Sequence, residues 1–135
     1  MSAPHAFDVL RALLAARDDL ALVVLFGSVA RGEARPESDL DVAVLPAERF
    51  SALDEARLVD ALSRASGREV DLVRLDRVED VVLRREIARG MPLREAERGD
   101  FARFAADAML AWLDLEPTYL DAQARYLAHV AGGAR

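Results

Sequence analysis

Leu20-Ala21-Leu22-Val23-Val24-Leu25-Phe26-Gly27-Ser28 is followed, after ten intervening residues, by Asp39-Leu40-Asp41-Val42-Ala43-Val44-Leu45. Both apolar runs are short, partly β-branched and bounded by turn-forming residues, the pattern of buried strands. In a strand, residues i and i+2 share a face, roughly 6–7 Å apart. Asp39 and Asp41 therefore present two carboxylates side by side, and Leu40 turns to the opposite face. Two like charges that close require a compensating cation, and oxygen donors favour Mg2+. Upstream, Gly27 lets the backbone approach a ligand closely, and Ser28 places a hydroxyl at the start of a short helical turn, where phosphate oxygens bind well. A phosphate cradle beside metal-binding carboxylates is the equipment of nucleotide chemistry.

Gly27-Ser28-Val29-Ala30-Arg31-Gly32 with Ser38-Asp39-Leu40-Asp41 resembles the signature of the polymerase-β-like nucleotidyltransferases. The fuller stretch from Gly27 to Val44 looks like their minimal branch, the MNT proteins, many of which are antitoxins encoded beside a HEPN-domain RNase toxin. The resemblance implies an α/β nucleotidyltransferase fold (α+β in some schemes), with a small mixed sheet, flanking helices and a C-terminal helical tail. It also implies that Gly27 and Ser28 touch phosphate and that Arg31, three residues on and so on the same helical face, reaches the triphosphate. Arg35 is open between a site role and a solvated loop arginine, and Ser38 orients the loop before Asp39.

Nucleotidyl transfer with two metal ions calls for a third carboxylate beside the attacking hydroxyl. The best candidate is Asp71, in Val70-Asp71-Leu72-Val73, because an unpaired carboxylate inside a buried strand is costly and a cation partner explains it. The alternative is an edge strand that turns Glu69 and Asp71 into water. Asp76, at the strand end, is the second candidate. Asp39, Asp41 and Asp71 are thus the expected metal ligands and catalytic carboxylates, holding two Mg2+ ions, with ATP as substrate.

Composition narrows the function. The 135 residues suit one domain, divided into a catalytic core over 1–96 and a helical tail over 97–131. There is no cysteine, so disulfides and thiolate metal sites are excluded. No apolar run approaches the ~20 residues of a membrane span and no signal-peptide pattern opens the chain, which gives a soluble cytoplasmic protein as the expectation. A formal charge of −6 argues against a nucleic-acid partner held through phosphates. All 18 basic residues are arginine, so no lysine nucleophile exists and every cation that meets a phosphate is a guanidinium.

Apolar spacing and turn residues predict a helix over 4–19, a strand over 20–26, a short helix ending near Gly32 and a loop over 33–38. A strand over 39–45 follows. A helix beginning at Pro46 buries Phe50, Leu53, Leu58, Val59 and Leu62 and ends at Gly67. Then come a strand over 69–75, a helix over 78–89 closed by Gly90, and an extended segment over 91–94. The chain is helical again from Arg98, with an interruption at Glu116-Pro117. Phe101, Phe104, Trp112, Tyr119 and Tyr126 read as core, with Trp112 and Tyr119 available as partner anchors if partly exposed. His5 and His129 have no companion ligand and read as surface residues.

Taken together, the expected function is Mg2+-dependent transfer of AMP from ATP to a hydroxyl. The small tail leaves no room for a substrate domain, which favours a protein acceptor; the resemblance supplies a tyrosine of a cognate HEPN toxin. Two rivals stand beside this reading. One is a non-catalytic antitoxin that blocks its toxin sterically. The other is a small-molecule adenylyltransferase whose acceptor pocket forms between chains of an oligomer.

Overall fold

Leu20–Phe26 is buried along its length apart from the half-buried Ala21, and the other elements are arranged around it. In the computed structural model, which describes residues 3–133, the chain runs α1 (Ala3–Leu14), β1 (Leu20–Phe26), α2 (Gly27–Ala30), β2 (Leu40–Pro46), α3 (Ala52–Ser66), β3 (Val70–Arg74), α4 (Val81–Ala88), β4 (Met91–Glu95) and α5 (Asp100–Gly133). The four strands form a mixed sheet in the order β3-β2-β1-β4. β1 pairs antiparallel with β2 and with β4, and β2 pairs parallel with β3 through the α3 crossover.

Each sheet face carries its own core. Leu20, Val23, Leu25, Leu40, Val42 and Val44 pack against Leu10 and Leu14 of α1 and Leu58 and Leu62 of α3. On the other face Leu22, Val24, Phe26 and Ala43 pack against Ile87 of α4, with Phe101 and Phe104 of α5 closing over them. Each fully buried leucine contributes about 1.5–3 kcal/mol relative to exposure. The alternation along β2 decides the site: even-numbered residues from Leu40 face α1 and α3, so Asp41 shares the α4–α5 face with Ala43 and Leu45.

Several element limits differ from the expectations, each for a local reason. α1 ends at Leu14, and the chain turns there through Arg17, whose guanidinium forks onto Asp19 at 2.9 Å through both contacts. Pro46 closes β2 instead of opening a helix. α3 begins only after Ser51, whose hydroxyl accepts from the Asp54 amide while the Asp54 carboxylate accepts from the Ser51 amide. Leu53 is accordingly exposed, in the first turn. Asp80 caps α4 by accepting from the Val82 and Leu83 amides, which starts that helix at Val81.

α5 runs through Glu116-Pro117 without a break. Proline removes one hydrogen bond to the preceding turn, and long runs of good helix formers on both sides carry the helix past it. Phe101 and Phe104 are core as expected, but Tyr126 is exposed, as is every side chain described beyond Pro117. The side chains of His5 and Tyr119 lie outside the described residues; His129 is exposed. No described helix is long and apolar enough to cross a membrane.

The two regions of the fold separate cleanly in a stability measurement. Leu62→Ala, at a fully buried site, will lower the unfolding free energy by about 2–5 kcal/mol in urea titration. Leu120→Ala, on the exposed half of α5, will change it by less than about 0.5 kcal/mol.

Candidate active site at the end of the central strand

The last residue of β1, Phe26, is the register partner of Asp41. The backbone then turns through Gly27 at φ +77 into α2. A β-carbon on residue 27 would stand 2.1 Å from Oδ2 of Asp41, so only glycine permits the carboxylate to rest against this turn. Asp41 is in turn the partner of Asp71 on β3. Side chains in register on adjacent strands point the same way, about 4.8 Å apart. Asp39 lies just before β2, two residues from Asp41, with the intervening Leu40 buried beneath. Gly27, Asp39, Asp41 and Asp71 are therefore gathered at one end of one sheet face.

Asp71 arrives there for a different reason than burial. β3 is an edge strand and Asp71 is exposed; the parallel register with β2, and not a low-dielectric interior, sets it beside Asp41. Asp76 is elsewhere. It follows the far end of β3, where the Arg74 guanidinium donates to both of its oxygens at 2.9 and 2.8 Å and holds its carboxyl below the usual range.

The electrostatics single out Asp41. Partial burial pushes its pKa up, the neighbouring Asp71 and Asp39 charges push it further, and Arg31 only partly offsets them. No group of three or more His, Cys, Asp or Glu among the described residues is drawn tightly enough to hold an ion as it stands. The donor chemistry nonetheless suits Mg2+: oxygen ligands only, and a central carboxylate burdened by negative neighbours.

Ser28 is half-buried in the first turn of α2, and its carbonyl accepts from the Glu33 amide at 2.9 Å. The Arg31 guanidinium is exposed and already engaged: Nε donates to Glu33 at 3.0 Å, and Nη1 lies 3.7 Å from Glu86 of α4. A cavity of about 400 Å³ opens here, lined by Gly27, Ala30, Arg31, Glu86, Arg89 and Gly90. Arg35 points its side chain into solvent, while its amide donates to the Ser38 hydroxyl.

Three contributors escaped the sequence reading. Arg68 donates to the carbonyls of Arg35 and Ser38 at 2.8 and 2.9 Å, pinning the loop that delivers Asp39. Glu86 and Arg89 supply the α4 wall of the cavity. Their mutual i, i+3 spacing was readable from the helix, but their approach to residue 31, across the sheet end, was not.

The chain is similar to known proteins in sequence and in fold. Residues 9–98 match the family model described as polymerase beta, nucleotidyltransferase. The protein adenylyltransferase MntA of Shewanella oneidensis is 32% identical over 81 residues, which span 60% of this chain and 58% of that protein. A solved toxin–antitoxin structure with AMP-PNP is similar in fold at TM-score 0.68 and 25% identity, over 94% of this chain and 99% of that one. A structure of tri-AMPylated Shewanella oneidensis HEPN toxin in complex with MNT antitoxin shares the fold at TM-score 0.68 and 23% identity, over 93% and 99% of the two chains.

Asp41 makes stability depend on pH in a defined sense. Its folded pKa is raised, so its favourable contribution is complete below the ordinary carboxylate value of about 4 and is lost as pH rises through the raised value. Metal-free Asp41→Asn protein will therefore melt above wild type at neutral pH, and the gap will close as pH falls through the carboxylate range. Melting curves collected across that range check it.

Proposed function

For a chain that belongs to the polymerase-β nucleotidyltransferase family, we propose magnesium-dependent transfer of AMP from ATP to a protein hydroxyl, a tyrosine of a HEPN-domain toxin, with release of pyrophosphate. The observation that carries the reading is the meeting of Gly27 with Asp41, and of Asp41 with Asp71, at the open end of the sheet. Support for the acceptor comes from the similarity to a protein adenylyltransferase and to an antitoxin bound to an AMPylated HEPN toxin.

In this reading Asp39 and Asp41 would hold two Mg2+ ions, and Asp71 would complete the ligand set beside the acceptor hydroxyl. When bound, the ions neutralise phosphate charge and acidify that hydroxyl. Gly27 lets the phosphates come close to the backbone, and Ser28 and Arg31 orient the β- and γ-phosphates. The acceptor oxygen then bonds to the α-phosphorus as the bond to the bridging α–β oxygen breaks, and the pyrophosphate leaves with the electron pair. Asp71 takes the proton of the acceptor. Catalysis of this kind consists of positioning and charge stabilisation, with no covalent enzyme intermediate.

Incubation of the chain with ATP, Mg2+ and a HEPN-domain partner will add one AMP mass, or a small multiple, to a tyrosine of that partner. Asp39→Ala will lower transfer by orders of magnitude and will not neutralise the RNase. The steric reading predicts the opposite: full inhibition without ATP, no mass change, and an Asp39→Ala protein as effective as wild type.

A further inference from the structure

The cavity beside Gly27 has a wall that the proposed chemistry leaves unassigned. Its far side is the end of α4, which supplies Glu86 and Arg89 and closes at Gly90. That closure is tight, since a β-carbon on Gly90 would stand 2.4 Å from the Leu25 carbonyl oxygen of β1. Across the opening Glu86 engages two cations with different oxygens: Arg31 at 3.7 Å through Oε2 and Arg89 at 4.0 Å through Oε1. A single carboxylate thus sits between two guanidinium groups at the mouth of a cavity of about 400 Å³, large enough for a small ligand.

We propose that Arg89 is a second phosphate cation opposite Arg31 in this cavity, and that Glu86 is a built-in placeholder that an incoming phosphate displaces. The nucleotide tail as occupant rests on the transfer reading above. Guanidinium forks match phosphate oxygens in bidentate geometry; Arg31 and Arg89 each bring one Nη1 to within 4.0 Å of the Glu86 carboxylate, while Arg31 Nε is held by Glu33. A nucleoside base is a poorer occupant, because no aromatic side chain lines the cavity. The position also fits: Gly27 borders the cavity on one side and Asp41 on the other, so a chain of phosphates in the cavity continues directly toward the carboxylates. In a protein of charge −6, a carboxylate placeholder keeps the two arginines from recruiting unrelated anions until one with several charges arrives.

Calorimetry on the full chain with inorganic tripolyphosphate, ATP and AMP, each with and without Mg2+, tests the site. Wild type will bind tripolyphosphate and ATP more tightly than AMP. Arg89→Ala will weaken the first two about tenfold to a hundredfold, the worth of a charge-assisted hydrogen bond, and leave AMP within about twofold. Arg89→Lys will recover part of the loss, and Glu86→Gln will strengthen tripolyphosphate binding because the placeholder loses its charge. Arg89 is exposed, so melting curves will confirm that its variants fold.

Failure of wild type to bind tripolyphosphate, or equal binding by Arg89→Ala, overturns the site. So does an AMP affinity that falls as far as that for ATP, since the cavity would then hold the nucleoside. AMP transfer does not enter these readings. A chain that binds tripolyphosphate through Arg89 yet transfers nothing keeps this site and loses the enzymatic reading; one that transfers AMP while its Arg89→Ala variant binds tripolyphosphate as tightly as wild type does the reverse.

Discussion

β1 admits only hydrocarbon. Its edges are taken by β2 and β4, one face is covered by α1 and α3 and the other by α4 and α5, and a charged side chain anywhere along it would be buried without a partner. Charge can therefore enter the sheet only where β1 stops. The chain stops it with Gly27, the one residue that fits against the Asp41 carboxylate, and the antiparallel register with β2 brings Asp41 to that same point. The parallel register with β3 then adds Asp71. The site is a consequence of where an apolar strand ends and of which way its neighbours run.

The charges around that point are arranged as opposed groups. On one side of Gly27 stand carboxylates that repel one another, with Asp41 the most burdened. On the other side stand Arg31 and Arg89, held by Glu33 and Glu86. A metal-bound nucleotide, the ligand proposed above, would present both signs, positive toward the carboxylates and negative toward the arginines, and so would relieve both sides together. This is why a strongly acidic chain is compatible with a phosphate ligand: the few cations that matter are local, and the overall charge acts only at longer range.

Most of the architecture could be read from residue patterns because it rests on short-range rules. The apolar runs over 20–26 and 39–45 indicated two strands, found at Leu20–Phe26 and Leu40–Pro46, and the register sets Gly27 and Asp41 together where they adjoin. The failures have a common origin in competing local signals. Pro46 and Pro117 were given the power to start and stop helices, whereas the Ser51–Asp54 box and the length of α5 decided those points. Asp71 lies in register with Asp41, but on an exposed edge strand, the alternative the sequence left open, so register and not burial sets it there. Arg68, Glu86 and Arg89 were invisible because their roles depend on approach between segments far apart in the chain, which periodicity does not encode.

α5 carries two kinds of helix in one. Up to Trp112, which lies beneath the Arg85 guanidinium at 4.6 Å, it is held by contacts with α4 and the sheet. Beyond Pro117 its described side chains all face water, leaving a rod of roughly 24 Å, at about 1.5 Å per residue, that is helical by its own propensity. Backbone amides in the first part open only when the body of the protein opens, whereas those in the second open by the helix–coil equilibrium of a short peptide. Hydrogen exchange along this single helix would thus pass from the slowest class in the molecule to nearly the fastest within a few turns, with Pro117 at the boundary.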